Sequence, residues 1–187
     1  MNDRERLKQL LVTRSVRLGD FTLASGAKSS YYIDARTTTM SAEGQRLIGL
    51  VAHRVVRESG LAPTHVGGLT LGADPVAYAI AHRSALEGTP IDAFTVRKQA
   101  KAHGTGQRVE GGLPQGARCL IVEDTVTTGQ SSLDAIDVVR THGAEVVGVF
   151  VVVDRSGGAA AALYAEQGLG LLAVFTGEEL LDVARRG

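Results

Sequence analysis

The fold is decided by residues 120–132, which read Leu120-Ile121-Val122-Glu123-Asp124-Thr125-Val126-Thr127-Thr128-Gly129-Gln130-Ser131-Ser132. This pattern predicts a buried strand that ends in two adjacent carboxylates, then a hydroxyl-rich turn, then the start of a helix. Free N–H groups at a helix start favour a phosphate, and Gly129 allows the backbone to approach a ligand closely. Two carboxylates would repel a phosphate alone. Their presence therefore indicates a sugar phosphate, whose hydroxyl groups and metal bridge they can hold.

On the residues alone, this stretch has two other interpretations, of which only the first remains open. In an ordinary strand–turn–helix, the acidic pair would only cap the helix and meet solvent. A Walker B strand also ends in acidic residues, but the chain contains no G-x-x-x-x-G-K-[ST] sequence. Its absence excludes the chemistry of P-loop ATPases and GTPases.

The rest of the chain is predicted to alternate strands and helices. Strands are expected at 21–23, 31–33, 65–69, 92–96, 117–122, 145–153 and 171–175, and helices at 4–13, 41–59, 73–85, 129–142 and 176–184. Several of these strands are apolar throughout, which is typical of strands covered on both faces. The sequence therefore predicts an α/β fold, with a Rossmann-like, mostly parallel sheet flanked by helices.

Composition limits the class of protein. The chain has 187 residues, equal numbers (20 each) of basic and acidic side chains, and 4% aromatic residues. It therefore suggests one domain, and nothing in it favours nucleic acid or an anionic membrane. The single cysteine, Cys119, fits a reducing cytosol, and the longest apolar run is far short of the roughly 20 residues that span a membrane. We expect a cytoplasmic protein.

Four segments carry a resemblance to a known family. Residues 120–132 resemble the signature with which type I phosphoribosyltransferases bind phosphoribosyl pyrophosphate (PRPP). Three more segments narrow the resemblance to orotate phosphoribosyltransferase: residues 21–32 are similar to its N-terminal hood, 96–104 to its catalytic loop, and 151–158 to the strand end that presents an arginine to orotate. The resemblance implies the type I phosphoribosyltransferase fold in a single domain, with a small hood formed from about residues 1–40 and adjacent elements.

The resemblance also implies a reaction, in which ribose 5-phosphate passes from PRPP to N1 of orotate. The products are orotidine 5′-monophosphate and pyrophosphate, a step of pyrimidine synthesis. Residues 97–113 fit no predicted element and would form the flexible catalytic loop. The first seven residues of this loop contain four donors that can neutralise the leaving pyrophosphate together with Mg²⁺: Arg97, Lys98, Lys101 and His103. A solvated basic loop is the alternative.

The remaining site residues follow from the same carry-over. Beside the four loop residues, PRPP would be bound by Glu123, Asp124, Thr125, Val126, Thr127, Thr128, Gly129, Gln130 and Ser131. Orotate would be bound by Thr127, Arg155, Tyr32, Ile33 and Lys28. The Arg155 guanidinium matches the two oxygens of a carboxylate, although a structural pair with Asp154 is the alternative. Magnesium would arrive with PRPP, near Asp124, and no direct protein ligand is assigned.

Two positions depart from the family pattern. Many members have a lysine where this chain has Ala24, and another where it has Gly72. Lys28 is a candidate replacement for the first lysine, and the glycine-rich loop at 67–75 can still contact pyrophosphate through backbone N–H groups. The resemblance further implies a homodimer in which the catalytic loop of one subunit reaches the active site of the other. Another purine or pyrimidine phosphoribosyltransferase, or a regulator that senses PRPP, is the alternative function.

Overall fold

The computed structural model describes residues 1–22, 28–99 and 108–186, which form a six-stranded sheet covered by helices and a separate two-stranded hairpin. The strands are β1 (Val16–Thr22), β2 (Lys28–Ile33), β3 (His65–Leu69), β4 (Asp92–Val96), β5 (Val109–Glu110), β6 (Arg118–Val126), β7 (Glu145–Asp154) and β8 (Leu171–Thr176). The helices are α1 (Asp3–Ser15), α2 (Arg36–Thr39), α3 (Ala42–Glu58), α4 (Ala73–Leu86), α5 (Gln130–Thr141), α6 (Ala159–Ala165) and α7 (Gly177–Arg186).

The large sheet has the strand order β5-β4-β3-β6-β7-β8. Five of these strands run parallel to one another: β4, β3, β6, β7 and β8. Only β5 is antiparallel to its neighbour β4. The predicted α/β fold with a mostly parallel sheet is therefore confirmed. Chain order reverses between β3 and β6, because β3 leads outward to β4 while β6 leads outward to β7. A crevice opens at such a switch point, beyond the carboxyl ends of the strands.

Alternate residues of the central strands supply two hydrophobic cores. Leu120 and Val122 of β6 pack into the core that α1, α3 and α4 cover, whereas Cys119 and Ile121 pack into the core that α5 covers. Burial on both faces explains why β6 and β7 are apolar over most of their length. Cys119 is fully buried, as the sequence indicates, and burial raises the pKa of its thiol to about 12.

Helix starts and strand ends agree with local sequence signals in several places. Asn2 caps α1 by accepting a hydrogen bond from the Glu5 amide, and Ser41 caps α3 by accepting one from the Gly44 amide. The predicted bounds of β3 and β4 are those observed. In the described part of the chain, no helix is both long enough and apolar enough to cross a membrane.

Other predictions about the elements are wrong or incomplete. The loop at 97–113 contains strand β5, which forms by pairing Val109 with Val96. Helices α2 and α6 were not predicted, and both N-terminal strands are longer than expected. Leu23 lies outside the described residues. The antiparallel hairpin β1–β2 and helix α1 bring the N-terminal segment against α7 and the adjoining edge of the sheet.

Candidate active site

A cleft of about 460 Å³ opens at the carboxyl ends of β3, β4 and β6. Its position is that of the switch point in strand order, where ligands of open α/β sheets bind. The residues that line it are Arg36, Leu69, Thr70, Leu71, Gly72, Lys98, Glu123, Asp124 and Ser131. Two carboxyl groups and two cationic side chains therefore line one opening.

The two carboxyl groups lie within the last part of β6. Glu123 accepts a hydrogen bond of 2.6 Å from the Ser132 hydroxyl, and Asp124 accepts one of 2.8 Å from the backbone N–H of Thr125. Burial raises the pKa of Glu123 to about 7, with the nearby Asp124 adding to the effect. Burial likewise raises the pKa of Asp124, against the opposing effects of the Thr125 amide and the Arg36 charge. A nearby cation or a hydroxyl donor would stabilise the ionised form of both carboxyl groups.

Here the structure corrects one expectation and one alternative interpretation. The predicted strand ends at Val122, and in the alternative interpretation the acidic pair only caps the helix and meets solvent. Instead β6 continues to Val126, where it pairs with Asp154 of β7. This longer ladder holds both carboxyl groups partly buried inside the sheet, which is why their pKa values rise.

The predicted phosphate-binding turn follows directly. Gly129 has φ +80° and precedes the first residue of α5, so the N–H groups of the first helical turn are not used within the helix. A Cβ atom at this position would lie 2.8 Å from Leu163 Cδ2 and 3.1 Å from the Tyr164 hydroxyl, both reached from α6. Glycine is therefore required both for the left-handed conformation and for the close packing of the turn.

The hydroxyl groups of the turn differ in exposure. Thr127, Thr128 and Gln130 are exposed, Ser131 is half-buried and lines the cleft, and Val126 is buried in the core. The hydroxyl of Thr125 is buried and has no hydrogen-bond partner among the described residues. The turn thus offers exposed donors to a ligand at the mouth of the cleft.

Cationic groups occupy the opposite wall. Lys98 is exposed and lines the cleft, while Arg97 forms an ion pair of 3.4 Å with Glu110. Arg36 also lines the cleft, and two nitrogens of its guanidinium donate to the two carboxylate oxygens of Asp34 (2.8 and 3.2 Å). Sequence reasoning missed Arg36, because a short Asp-x-Arg spacing indicates only a local ion pair. Lys101 and His103 lie outside the described residues.

The loop after β3 forms the floor between these walls. Asp74 accepts hydrogen bonds from Thr70 (2.6 Å) and Thr95 (2.8 Å), which ties the loop to the end of β4. The Thr70–Leu71 peptide bond is cis. A Cβ atom at Gly72 would lie 2.7 Å from the Asp124 carboxylate, so the position where many family members carry lysine is in contact with the acidic pair here.

Arg155 lies immediately after β7, where its amide donates to the Val126 carbonyl (2.8 Å). Its guanidinium is 5.2 Å from the centre of the Tyr31 ring of the hairpin, and its Nε is buried without a hydrogen-bond partner among the described residues. Asp154 instead accepts from the Ser156 amide (2.7 Å). No Arg155–Asp154 ion pair exists in the described part of the chain, so the structural alternative for Arg155 has no support.

The other candidate orotate residues are placed less directly. Tyr32 is 37% exposed, and its ring lies 5.7 Å from that of Phe21. The Ile33 side chain is 5% exposed and belongs to the core, so only its backbone could meet a ligand. Lys28 is exposed and donates to the Thr22 hydroxyl at 2.9 Å. None of the three is among the residues that line the cleft.

The residues of the cleft fit a magnesium ion that arrives with its substrate. Within the described ranges, no three His, Cys, Asp or Glu side chains cluster to hold a metal alone. Magnesium instead commonly takes one or two carboxylates together with substrate phosphates and water. Glu123 and Asp124 supply such oxygen atoms beside the predicted phosphate site.

Comparison with known proteins agrees with this geometry. The family model of the phosphoribosyl transferase domain matches residues 42–165. Orotate phosphoribosyltransferase of Aquifex aeolicus is 45% identical over 184 residues, which cover 97% of this chain and 99% of the relative. This chain belongs to the orotate phosphoribosyltransferase family.

Solved structures of family members share the fold. Orotate phosphoribosyltransferase of Mycobacterium tuberculosis H37Rv in complex with Fe(III) dicitrate has a TM-score of 0.84 and 47% identity, covering 96% of this chain and 99% of that one. The same enzyme in complex with PRPP has a TM-score of 0.78 and 44% identity, with the same coverage of both chains. The expected family and fold are therefore confirmed.

Proposed function

We propose that this orotate phosphoribosyltransferase family member transfers ribose 5-phosphate from PRPP to N1 of orotate in pyrimidine biosynthesis. The C1–O bond to pyrophosphate breaks, and the N1–C1 bond of orotidine 5′-monophosphate forms. One observation carries the assignment to the cleft: the partly buried carboxyl groups of Glu123 and Asp124 and Ser131 of the first turn of α5 line the same opening as Lys98 and Arg36. That arrangement matches a substrate with hydroxyl groups at its centre and phosphates at both ends.

The ribose phosphate would occupy the β6 side of the cleft. The backbone N–H groups and hydroxyls of residues 125–131 bind the 5′-phosphate, because a helix start favours an anion. Glu123 and Asp124 accept hydrogen bonds from the ribose hydroxyls. Their raised pKa values reflect carboxyl groups withdrawn from water, which a bound hydroxyl or cation would stabilise in the ionised form.

The pyrophosphate would occupy the opposite side. Arg97 and Lys98 sit at the end of β4, and backbone groups of the loop at 70–72 form the floor between them and the carboxyl pair. Lys101 and His103 are proposed to complete the set of donors. When bound, Mg²⁺ shares the negative charge that develops on the leaving group. The cations stabilise that charge most strongly in the transition state.

Orotate would bind beneath the hairpin. Arg155 is the proposed partner of its carboxylate, because the guanidinium is already held against the Tyr31 ring with its Nε unpaired among the described residues. Thr127, Tyr32 and the backbone of Ile33 are proposed to line the pyrimidine. Lys28 donates a hydrogen bond to Thr22 and is not among the residues that line the cleft. Any contact of Lys28 with orotate is therefore proposed on the side of the hairpin.

An assay of orotate consumption tests the proposed function. Orotate absorbance should fall only when PRPP and Mg²⁺ are both present, and orotidine 5′-monophosphate should appear in equal amount. Uracil, adenine and hypoxanthine should remain unconsumed in parallel reactions. Consumption of one of these bases without consumption of orotate would contradict the proposal.

We also propose a cytoplasmic homodimer with a shared active site. Three large apolar side chains are more than half exposed: Met40 directly after α2, Leu71 in the loop after β3, and Tyr78 on α4. An isologous contact would cover them. The single buried Cys119 fits a reducing compartment.

Mixing two inactive variants tests the shared site. Lys101→Ala and Asp124→Asn homodimers should each be impaired. Re-associated hybrids would contain one doubly defective site and one intact site, if residue 101 acts across the interface. Activity should then rise to about a quarter of wild type with random pairing. Hybrids that form without gaining activity would place Lys101 in its own subunit's site.

A further inference from the structure

Arg108 forms a fork at the point where the chain returns from the loop after β4. Its two terminal nitrogens donate to the carboxylate oxygens of Asp134 (2.9 and 2.6 Å), and its Nε donates to the Arg97 carbonyl (2.8 Å). The Arg97 amide in turn donates to the Arg108 carbonyl at 2.8 Å. Three nitrogens of one planar group thus hold two partners at once, the Asp134 carboxylate and the Arg97 carbonyl, which a lysine could not reproduce.

The fork connects two walls of the cleft that the sheet does not join directly. Strands β4 and β6 are separated by β3 in the sheet. Arg97 immediately precedes Lys98, which lines one wall, and Asp134 lies in the second turn of α5, whose first turn contains Ser131 of the other wall. The fork therefore links the backbone of Arg97, next to the cationic wall, to the helix that begins at the predicted phosphate-binding turn.

We propose that Arg108 is a positioning residue for phosphoribosyl transfer, acting through Asp134 and the Arg97 backbone. This inference rests on the proposed function, in which the two walls hold opposite ends of one PRPP molecule. The leaving pyrophosphate gains charge as the C1–O bond lengthens, so the distance between the walls matters most in the transition state. A displacement of about 1 Å far from the chemistry can cost up to roughly 10²-fold in rate.

The opposite end of the sheet provides a matched control. One terminal nitrogen of Arg118 donates to both carboxylate oxygens of Glu145 (3.1 and 3.0 Å), while its other terminal nitrogen and its Nε donate to the carbonyls of Leu61 (3.0 Å) and Ala62 (3.4 Å). Like Arg108, it joins a carboxylate on a neighbouring element to backbone oxygen, but it lies at the amino ends of the strands. Ion pairs as exposed as these stabilise a fold only weakly. The two arginines should therefore differ in their effect on catalysis far more than in their effect on stability.

The experiment compares Arg108→Ala, Arg108→Lys, Asp134→Ala and Arg118→Ala by steady-state kinetics and thermal unfolding. Arg108→Ala and Asp134→Ala should each lower kcat about 10-fold, and the double variant should lose no more than either, because both act through one fork. Arg108→Lys should recover part of the loss. The KM for orotate should stay within about twofold, since Arg155 follows β7 on the other side of β6. Arg118→Ala should keep wild-type kinetics.

Two outcomes would overturn the inference. One is an Arg108→Ala enzyme whose kinetics match those of Arg118→Ala. The other is a loss of kcat in Arg108→Ala that follows a loss of folded protein in the unfolding curves. Failure of the proposed function itself is distinguishable, because wild type would then leave orotate unconsumed before any variant is compared.

Discussion

At the amino end of the parallel sheet, polar groups find partners within the protein, whereas at the carboxyl end several are left without them. Arg118 and Glu145 satisfy each other at the amino end, and Thr64 closes the same edge by exchanging hydrogen bonds with the Arg118 backbone (2.9 and 3.1 Å). At the carboxyl end, Glu123 and Asp124 have raised pKa values because burial removes water from them.

The same contrast holds for uncharged groups and for cations. Thr125 and Arg155 each bury a polar atom without a hydrogen-bond partner in the described part of the chain, and both lie at the carboxyl end. An unpaired buried polar group costs free energy unless something completes it. The difference indicates that polar groups at the amino end are satisfied within the protein, while the carboxyl end keeps several for a ligand. Matched substitutions at the two ends can break or sharpen this comparison.

The largest effect is expected from Asp124→Asn. Asparagine keeps the shape and can still accept from the Thr125 amide, but it removes the charge that faces the ribose hydroxyls and the metal. We expect kcat/KM for PRPP to fall about 10²-fold or more, the typical loss for one preorganised group. The melting temperature should change little, because the substitution also removes a partly buried charge.

The control for Asp124→Asn is Glu145→Gln at the amino end, which removes the carboxylate that Arg118 contacts and should leave the kinetics within about twofold. Steady-state assays in PRPP and thermal melts measure both quantities. Equal kinetics for the two variants would remove Asp124 from the ribose site.

Arg155→Ala should have the next largest effect. A hydrogen bond to a charged group contributes about 1.5–3 kcal/mol, so the KM for orotate should rise roughly 10- to 100-fold. The KM for PRPP should change much less, because Arg155 is not among the residues that line the cleft proposed to bind PRPP. Arg155→Lys, which keeps the charge without the fork, should restore only part of the affinity. Equal changes in both constants would make Arg155 a structural residue.

Gly72→Ala should have a smaller effect. The new Cβ would lie 2.7 Å from the Asp124 carboxylate, so that carboxylate must shift. We expect the KM for PRPP to rise about 10-fold, within the range that small displacements of reacting groups produce. Gly170→Ala is the matched control at the amino end of β8, where a Cβ would meet no atom within 4 Å. Identical kinetics in the two variants would show that the Asp124 position tolerates this shift.

Local chemistry explains which parts of this arrangement could be predicted from sequence. The runs of β-branched and other apolar residues predict β3, β4 and the sheet core, and Ser41 and Gly129 predict two helix starts through their capping and turn chemistry. The two-residue strand β5 has no such signal, because it exists only by pairing with β4. Helix α6 was missed even though an alanine-rich segment after Gly157-Gly158 favours a helix.

The candidate site shows the same division. Glu123, Asp124 and the turn could be predicted because they are consecutive in sequence. Arg36 and the Arg108–Asp134 fork could not, since each acquires its position beside the cleft only when distant elements meet, and Gly72 could be placed only through the resemblance to the family. The burial of Asp124 also depends on the tertiary ladder between β6 and β7, which extends through Val126. No local pattern distinguishes a strand that ends before a carboxylate from one that continues past it.

The smallest effect concerns Glu123 and the stability of the empty protein. Its pKa is about 7 in the folded chain, against an ordinary value of 4.5. Below about pH 4.5 the carboxyl is protonated in both the folded and the unfolded states and contributes nothing to their difference. Between about pH 4.5 and 7 the unfolded state loses its proton first, so stability falls as the pH rises, and the penalty is constant above that range.

Glu123→Gln should remove this penalty while keeping an acceptor for the Ser132 hydroxyl. We expect the variant to be more stable than wild type by about 1 kcal/mol at pH 8 and equal to it near pH 4.5. This is less than the full pKa shift would give at 1.36 kcal/mol per unit, because water reaches part of the carboxyl. Denaturant unfolding of both proteins across this range, without PRPP or Mg²⁺, measures the difference. A difference between Glu123→Gln and wild type that is the same at every pH would mean that the substitution acts through packing, and that the buried charge at the carboxyl end costs the empty protein nothing.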